Sequence, residues 1–271
     1  MIESVKTIAA LRRHIASLDR APAASACARM ATGHAPLDDA LGGGLARGRV
    51  HELFGGLEDE GAAAGLALIL AHLAAGDAPL FWLRTANGAG TRLYGPGLAA
   101  LGLDPARLLI GTLADDARLL SAAVDALRCS ALGALVIELR GRAPLLDLTA
   151  SRRLALAAEE SGVMALLLRI GGEPVPSAAD TRWRVEAAPS LPLPGNAPGM
   201  SSFLLHLLRR RAGPDGMTWR LAWNGDQGGF GDECNERHDH GQDSAGRGAD
   251  APLSGPVVPL PAAGSSAHRA A

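Results

Sequence analysis

Lysine is nearly missing from this chain of 271 residues: Lys6 is the only one, and almost all the basic residues are arginine. A lysine that grips phosphate is therefore excluded beyond the first few residues, in any register of any loop. Net charge is scarce too. With 26 basic against 28 acidic residues, no global field draws the chain to nucleic acid or to an anionic membrane, which leaves only local patches. The three cysteines, Cys27, Cys129 and Cys234, are far apart and odd in number, which suits free thiols in a reducing compartment better than a disulfide framework. No apolar run is long enough to span a bilayer, since the longest, residues 62–75, is broken by His72. Glu3, Lys6, Arg12 and Arg13 leave the N-terminal segment without the uninterrupted apolar core of a secretion signal. A cytoplasmic protein with no membrane contact is expected. What the chain does have is apolar material, 48% of its residues, enough for one substantial core.

Residues 5–18 place Ile8, Leu11, Ile15 and Leu18 at three- and four-residue spacings. That pattern predicts a short amphipathic helix, able either to pack on its own domain or to dock on a partner. A Pro/Ala/Ser linker, 21–26, follows it. From Arg47 onward, short apolar runs at 50–54, 80–83, 108–113, 134–139 and 163–168 alternate with helical patterns at 62–75, 97–101, 116–128 and 151–160. Such alternation is what a parallel sheet covered on both faces requires, so the fold class is α/β. Past Ile170 the rhythm is β only, with strands expected at 183–186, 203–209 and 217–223. Gly213-Pro214-Asp215-Gly216 is a turn between the last two, which predicts a hairpin closing the far edge of the sheet. Beyond Gly225 the chain is rich in Gly, Asp, His, Ser and Pro and has no period. The expected organisation is a helix and linker over 1–26, a core over 27–224 and a disordered tail over 225–271.

Residues 56–63 read Gly-Leu-Glu-Asp-Glu-Gly-Ala-Ala. Gly56 and Gly61 keep the spacing of a phosphate-binding loop, but Ala62 and Ala63 stand where the lysine and the Ser/Thr belong. The loop is acidic as well. Glu58, Asp59 and Glu60 would each cost roughly 1 kcal/mol against a phosphate a few ångströms away, even at water's dielectric constant. The frame of a nucleotide site is present without its reactive parts, and no bound cofactor is expected.

Upstream, Thr32-Gly33, Leu37-Asp38, the run from Ala40 through Gly42-Gly43-Gly44 to Leu45, and Gly48-Arg49 occur in the order that precedes the loop strand of a RecA-type recombinase core. Further stretches resemble one RecA-derived family more closely. They are Leu93-Tyr94-Gly95-Pro96-Gly97-Leu98, Leu101-Gly102-Leu103-Asp104-Pro105, Ala126-Leu127-Arg128-Cys129, Leu148-Thr149-Ala150-Ser151-Arg152-Arg153-Leu154 and Ala157-Ala158-Glu159-Glu160-Ser161-Gly162. On these the chain resembles the ImuA proteins of bacterial damage-inducible mutagenesis over about residues 5 to 224. The resemblance implies a RecA-like core and a catalytically silent adaptor in SOS-induced translesion synthesis. Its implied partners are an ImuB-type, Y-family-like protein, and RecA or an error-prone C-family polymerase, with DNA reached only indirectly.

Three departures from a working recombinase accompany that reading. Ala134-Leu135-Val136-Ile137-Glu138 ends in Glu138 where an aspartate supports magnesium in active relatives, leaving a vestigial acid with no hydroxyl or lysine to cooperate with. Arg84-Thr85-Ala86-Asn87 puts no carboxylate where one would polarise water. The segment 170–181, in the place of a DNA-binding loop, is short and charged only by Glu173 and Asp180. No catalytic residue and no metal is expected. Two alternatives stay open: a residual nucleotide switch or ATPase built on Glu138 and backbone amides, and a cell-division inhibitor of the SulA type.

Lesser features have plainer readings. Cys234, His238 and His240 fit no zinc spacing. Arg209-Arg210-Arg211 reads as a solvated strand edge that deters pairing. Trp219 and Trp223 share one strand face and are expected to cover the sheet edge, with a partner surface as the other reading.

Overall fold

The computed structural model describes residues 28–86, 93–193, 197 and 199–231. The helix and linker read over 1–26, Cys27, Asn87, Cys234 and the rest of the chain after 231 lie outside the described residues.

A two-stranded ribbon, β1 (Arg29–Met30) against β2 (Leu45–Ala46), brackets helix α1 (Ala35–Leu41). Local sequence dictates this unit. The His34 Nδ1 accepts the Leu37 N–H at 3.2 Å, capping the helix start. The Asp38 carboxylate accepts the Thr32 N–H (2.9 Å), the Thr32 hydroxyl (2.8 Å) and the Gly33 N–H (3.1 Å), folding the preceding turn onto the helix. Three glycines with positive φ, Gly42, Gly43 and Gly44, then reverse the chain. A Cβ on Gly44 would lie 2.1 Å from the Met30 carbonyl oxygen, so no other residue fits there.

The main sheet is built from β3 (Val50–Gly55), β4 (Leu80–Thr85), β5 (Leu108–Leu113), β6 (Ala134–Arg140), β7 (Met164–Ile170), β8 (Thr181–Ala188), β9 (Ser202–Arg210), β10 (Thr218–Asn224) and β11 (Gly229–Gly231). Their spatial order is β11-β10-β9-β8-β3-β7-β6-β4-β5. The six strands from β8 to β5 run parallel, and β9, β10 and β11 extend them antiparallel. Helix α2 (Glu60–Ala75) covers one face, and its Leu66 and Ile69 join Leu53, Val136, Leu166, Leu168 and Trp183 in one buried cluster. Short α3 (Gly95–Ala100) lies on the same side, contributing Leu98. Helices α4 (Asp116–Leu127) and α5 (Leu148–Ser161) cover the other face, where Leu119, Leu127 and Leu154 pack with Val50, Leu135, Ile137 and Leu167. The expected α/β fold with a RecA-like core is therefore what the chain forms, with antiparallel strands at one edge. Among the described residues no helix is long and apolar enough to cross a membrane.

Three expectations are corrected. The hairpin β9–β10 does not end the sheet, because β11 pairs beyond it through Ala222↔Gly231 and Trp223↔Phe230, so the core runs past Asn224 into the segment read as tail. Phe230 draws the strand in, packing 5.1 Å from the Trp223 ring and 6.1 Å from Phe203. β9 lies between β8 and β10, but β10 pairs with it only as far as His206, so Arg209 and Arg211 stay exposed beyond that pairing, as expected, and Arg210 is the exception. Arg210 instead donates to the Ala40 and Leu41 carbonyls at 2.6 and 2.7 Å, closing the C-terminus of α1. The two tryptophans serve the core: Trp223 is buried, and Trp219 stacks at a tilt 5.9 Å from Trp183.

β3 is buried along its whole length, so the polar groups it carries need partners inside. His51 has them. Its Nε2 donates to the Ala46 carbonyl at 2.9 Å, which leaves Nδ1 to accept from the Thr181 hydroxyl at 2.7 Å, and that hydroxyl accepts the Trp183 indole N–H at 2.7 Å. Burial pushes the His51 imidazole below its ordinary pKa, more than the Ala46 bond and Asp180 lift it. A depressed folded-state pKa means that the neutral ring contributes stability at pH values above the ordinary histidine pKa, and that this is lost as pH falls below it. Wild-type stability in urea is thus expected to drop between about pH 6.5 and pH 5 by more than that of H51Q, and a difference between the two that ignores pH would contradict a buried neutral ring. T181V, which leaves both ring partners without their hydroxyl, is expected to cost about 1–3 kcal/mol in the same measurement.

Candidate functional site

The phosphate-loop frame sits where the topology of a nucleotide site requires. Residues 56–59 connect β3 to α2, and β6, which carries Glu138, is separated from β3 by β7 alone. Gly55 ends its strand against Ala63, whose Cβ would stand 2.6 Å from any Cβ added there. Ala63 is fully buried, and Ala62 packs partly against the same core.

What occupies the mouth of this frame is a network of side chains. Arg140, at the end of β6, is joined to Glu60, the first residue of α2, by a two-pronged pair: Nη1 to Oε1 at 2.7 Å and Nη2 to Oε2 at 2.6 Å. The same Nη1 reaches Glu138 Oε1 at 3.1 Å, and the Trp82 indole N–H donates to Glu138 Oε2 at 2.9 Å. Hydrogen bonding to Glu60 above all, with Glu138 assisting, holds the guanidinium more firmly protonated than an ordinary arginine. Glu60 also places its charge at the positive end of the α2 dipole, the position that a phosphate takes in a working loop.

The remaining loop acids are disposed as the backbone requires. Asp59 precedes α2 without capping it, and its Oδ1 accepts the Ala187 N–H at 2.8 Å, tying the loop to β8. The Glu58 carboxylate folds back on Gly56, where an added Cβ would meet it at 2.6 Å. One guanidinium against two carboxylates, with Glu58 and Asp59 beside them, leaves the frame acidic, and any approaching polyanion meets that field. Arg84 and Thr85 end β4 half-buried, next to Arg84↔Thr112 and Thr85↔Leu113 in the register.

Of the residues singled out in the sequence, the structure brings Gly56, Gly61, Ala62, Ala63 and Glu138 to one end of the sheet. The sequence reading missed Arg140. The signal was available, since a basic residue two positions after Glu138 points to the same sheet face as Glu138, but nothing local indicated that its partner would be Glu60.

A second polar cluster lies on the opposite face. Glu52, Arg169 and Arg182 are 1%, 2% and 8% exposed. Glu52 and Arg182 are register partners across β3 and β8, and Arg182 Nε stands 2.7 Å from Glu52 Oε2. Burial pushes the Glu52 carboxyl up despite the attraction of Arg182. Arg169 stacks over the Phe54 ring, 5.6 Å from its centroid, while its Nε and Nη1 are sealed from solvent without a hydrogen-bond partner. Desolvation lowers its pKa, with Glu52 and Asp116 opposing. The segment between β7 and β8 had looked acidic, with Glu173 and Asp180 its only charges; three-dimensionally Arg142 and Arg169 share its mouth.

No family model matches the chain. Two curated relatives, each described as Protein ImuA, come from Caulobacter vibrioides strains NA1000 / CB15N and ATCC 19089 / CIP 103742 / CB 15. Each is 38% identical over 192 residues, an alignment that covers 65% of this chain and 75% of the relative.

The Arg140–Glu60 pair is two-pronged and only 23% and 18% exposed, so it should be worth more than a surface ion pair. A double-mutant cycle of E60Q and R140M, read by urea unfolding, is expected to give a coupling of about 1–2 kcal/mol; a coupling near zero would mean that the pair does not hold the loop.

Proposed function

The chain belongs to the ImuA family, and on that premise we propose that it is a catalytically silent, RecA-like adaptor in damage-inducible translesion synthesis, working through protein contacts with an ImuB-type partner. The observation that carries the silent half is the Arg140–Glu60–Glu138 network. The position of the phosphate is held by a carboxylate, and the only guanidinium of the network is already committed to two carboxylates. With Ala62 and Ala63 in place of the lysine and hydroxyl, the frame offers a nucleotide backbone amides alone, inside an acidic field.

Family membership supports the adaptor half, as does the commitment of the side chains at the mouth of the frame to one another. A domain that keeps a large, well-packed sheet and spends its site residues on internal pairing works through its surfaces. A RecA-type recombinase and an error-prone polymerase remain secondary partners in this reading, and the chain acts in the cytoplasm.

Two measurements test the proposal. Titration with a fluorescent ATP analogue is expected to show no saturable binding at millimolar nucleotide, and A62K/A63T is expected to change that little while Glu60 and Arg140 stay paired. Tight binding with turnover by the wild-type chain would instead establish the residual ATPase reading. Co-precipitation of the full-length chain with its ImuB-type partner is expected to succeed equally with and without ATP; failure in both conditions would sink the adaptor half.

A further inference from the structure

Two clefts adjoin on the α5 side of the sheet. One, of about 640 Å3, lies between the loops that follow β6 and β7, with Arg169 in its lining; the other, of about 620 Å3, runs along α5 toward the ends of β8 and β9. Both include Leu148 and Pro176, so they form one groove. Its ridge is aliphatic and open to water: Leu148 is 41% and Leu156 60% exposed. Exposed apolar side chains that line a groove in sequence are the ordinary mark of a docking surface rather than of scattered surface leucines.

The charge in the groove is uneven in a specific way. Arg169 lines the first cleft, and with it are buried a second guanidinium, Arg182, and one carboxylate, Glu52, while Asp116 acts on Arg169 from the start of α4. Arg182 is satisfied by Glu52, by the Ser177 hydroxyl at 2.8 Å and by the Val175 carbonyl. Arg169, 2% exposed, has Nε and Nη1 unpartnered; the Glu52 oxygens accept no hydrogen bond either, and the single charge of that carboxylate is shared between two guanidiniums. An excess buried positive charge is costly unless an anion answers it. Arg142 also lines the first cleft, and Arg152 lines the second together with Arg49, Arg209 and Arg211.

The chemistry favours a protein carboxylate over nucleic acid. The walls are aliphatic, with no aromatic ring in either lining on which a base could stack, and Asp147, Glu159, Glu173 and Asp180 stand among the lining arginines, so a continuous run of phosphates would meet carboxylates as well as guanidiniums. We propose that this groove docks an extended segment of a partner protein in which a carboxylate is flanked by aliphatic side chains. The carboxylate pairs with Arg169, the aliphatic groups lie on Leu148 and Leu156, and Arg142 and Arg152 attract the segment to the rim. This gives the adaptor reading a surface and rests on it for the existence of a partner.

The test is selection of a random peptide library displayed on phage against the full-length chain, followed by fluorescence anisotropy with the selected peptide. The selected sequences are expected to share Asp or Glu between aliphatic residues, and the Asn or Gln version to bind at least about tenfold more weakly. R142A/R152A should weaken binding with an unchanged unfolding midpoint. R169M should abolish it while keeping or raising stability, because Glu52 and Arg182 are left as a neutral pair. Selection without an acidic and aliphatic consensus overturns the proposal, as does a peptide indifferent to all three arginines. A labelled oligothymidylate that competes with the peptide and shows the same sensitivities assigns the groove to nucleic acid and also overturns it. None of these failures touches co-precipitation with the ImuB-type partner, so the two readings fall separately.

Discussion

β3 runs through the middle of the sheet with all six residues buried, and each polar group that it carries inward has to be answered by another strand. That constraint organises much of the molecule. On one face His51 is held by the Ala46 carbonyl, which fixes the tautomer of the ring, and by the Thr181 hydroxyl of β8, which Trp183 in turn donates to, so that the register of the two strands is set with it. On the other face Glu52 is answered by Arg182 of the same strand, at a register partner's distance. β8 is thereby specified by two polar contacts of opposite facing, and a one-residue slip would break both. The strand after it can then turn antiparallel and carry the sheet outward without disturbing the centre.

The phosphate-loop frame keeps the backbone course of a nucleotide site while side chains pair with one another across its mouth. Glycines at 55 and 56 still let the chain pass close to α2 and β7, and the loop still leads from the central strand into a buried helix. Within that frame a carboxylate sits at the positive helix end, and the arginine that opposes it comes from the same strand as Glu138. Such a pairing stabilises the start of the helix without a ligand.

Much of the architecture was legible in the sequence because the parallel strands are continuous apolar runs with helical patterns between them. The run at 108–113 is reproduced to the residue, and the others differ by one to three positions at their ends, as at 62–75 against Glu60–Ala75. The glycines at 42–44 were equally readable, since their torsions are demanded by backbone closeness alone. Three things were hidden. The strand Gly229–Gly231 has two glycines and one phenylalanine, too little pattern to see, and exists because Trp223 and Phe203 offer Phe230 a place. Arg140 and Glu60 are far apart in sequence, and so are Glu52, Arg169 and Arg182; charge pairing across a fold has no local signature. Arg210 read as a solvated edge because its true neighbours, the last carbonyls of α1, come from the other end of the described chain.

The pairing of that same short strand with the lead-in segment bears on how the domain assembles. The Phe230 N–H donates to the Thr32 carbonyl at 2.9 Å, so one hydrogen bond closes nearly the whole of the described chain into a single loop. Contacts of such separation repay their loop-closure entropy only when most other structure is already in place. The turn around Thr32, although among the first described residues to be synthesised, therefore gains this partner only once the last described strand has emerged.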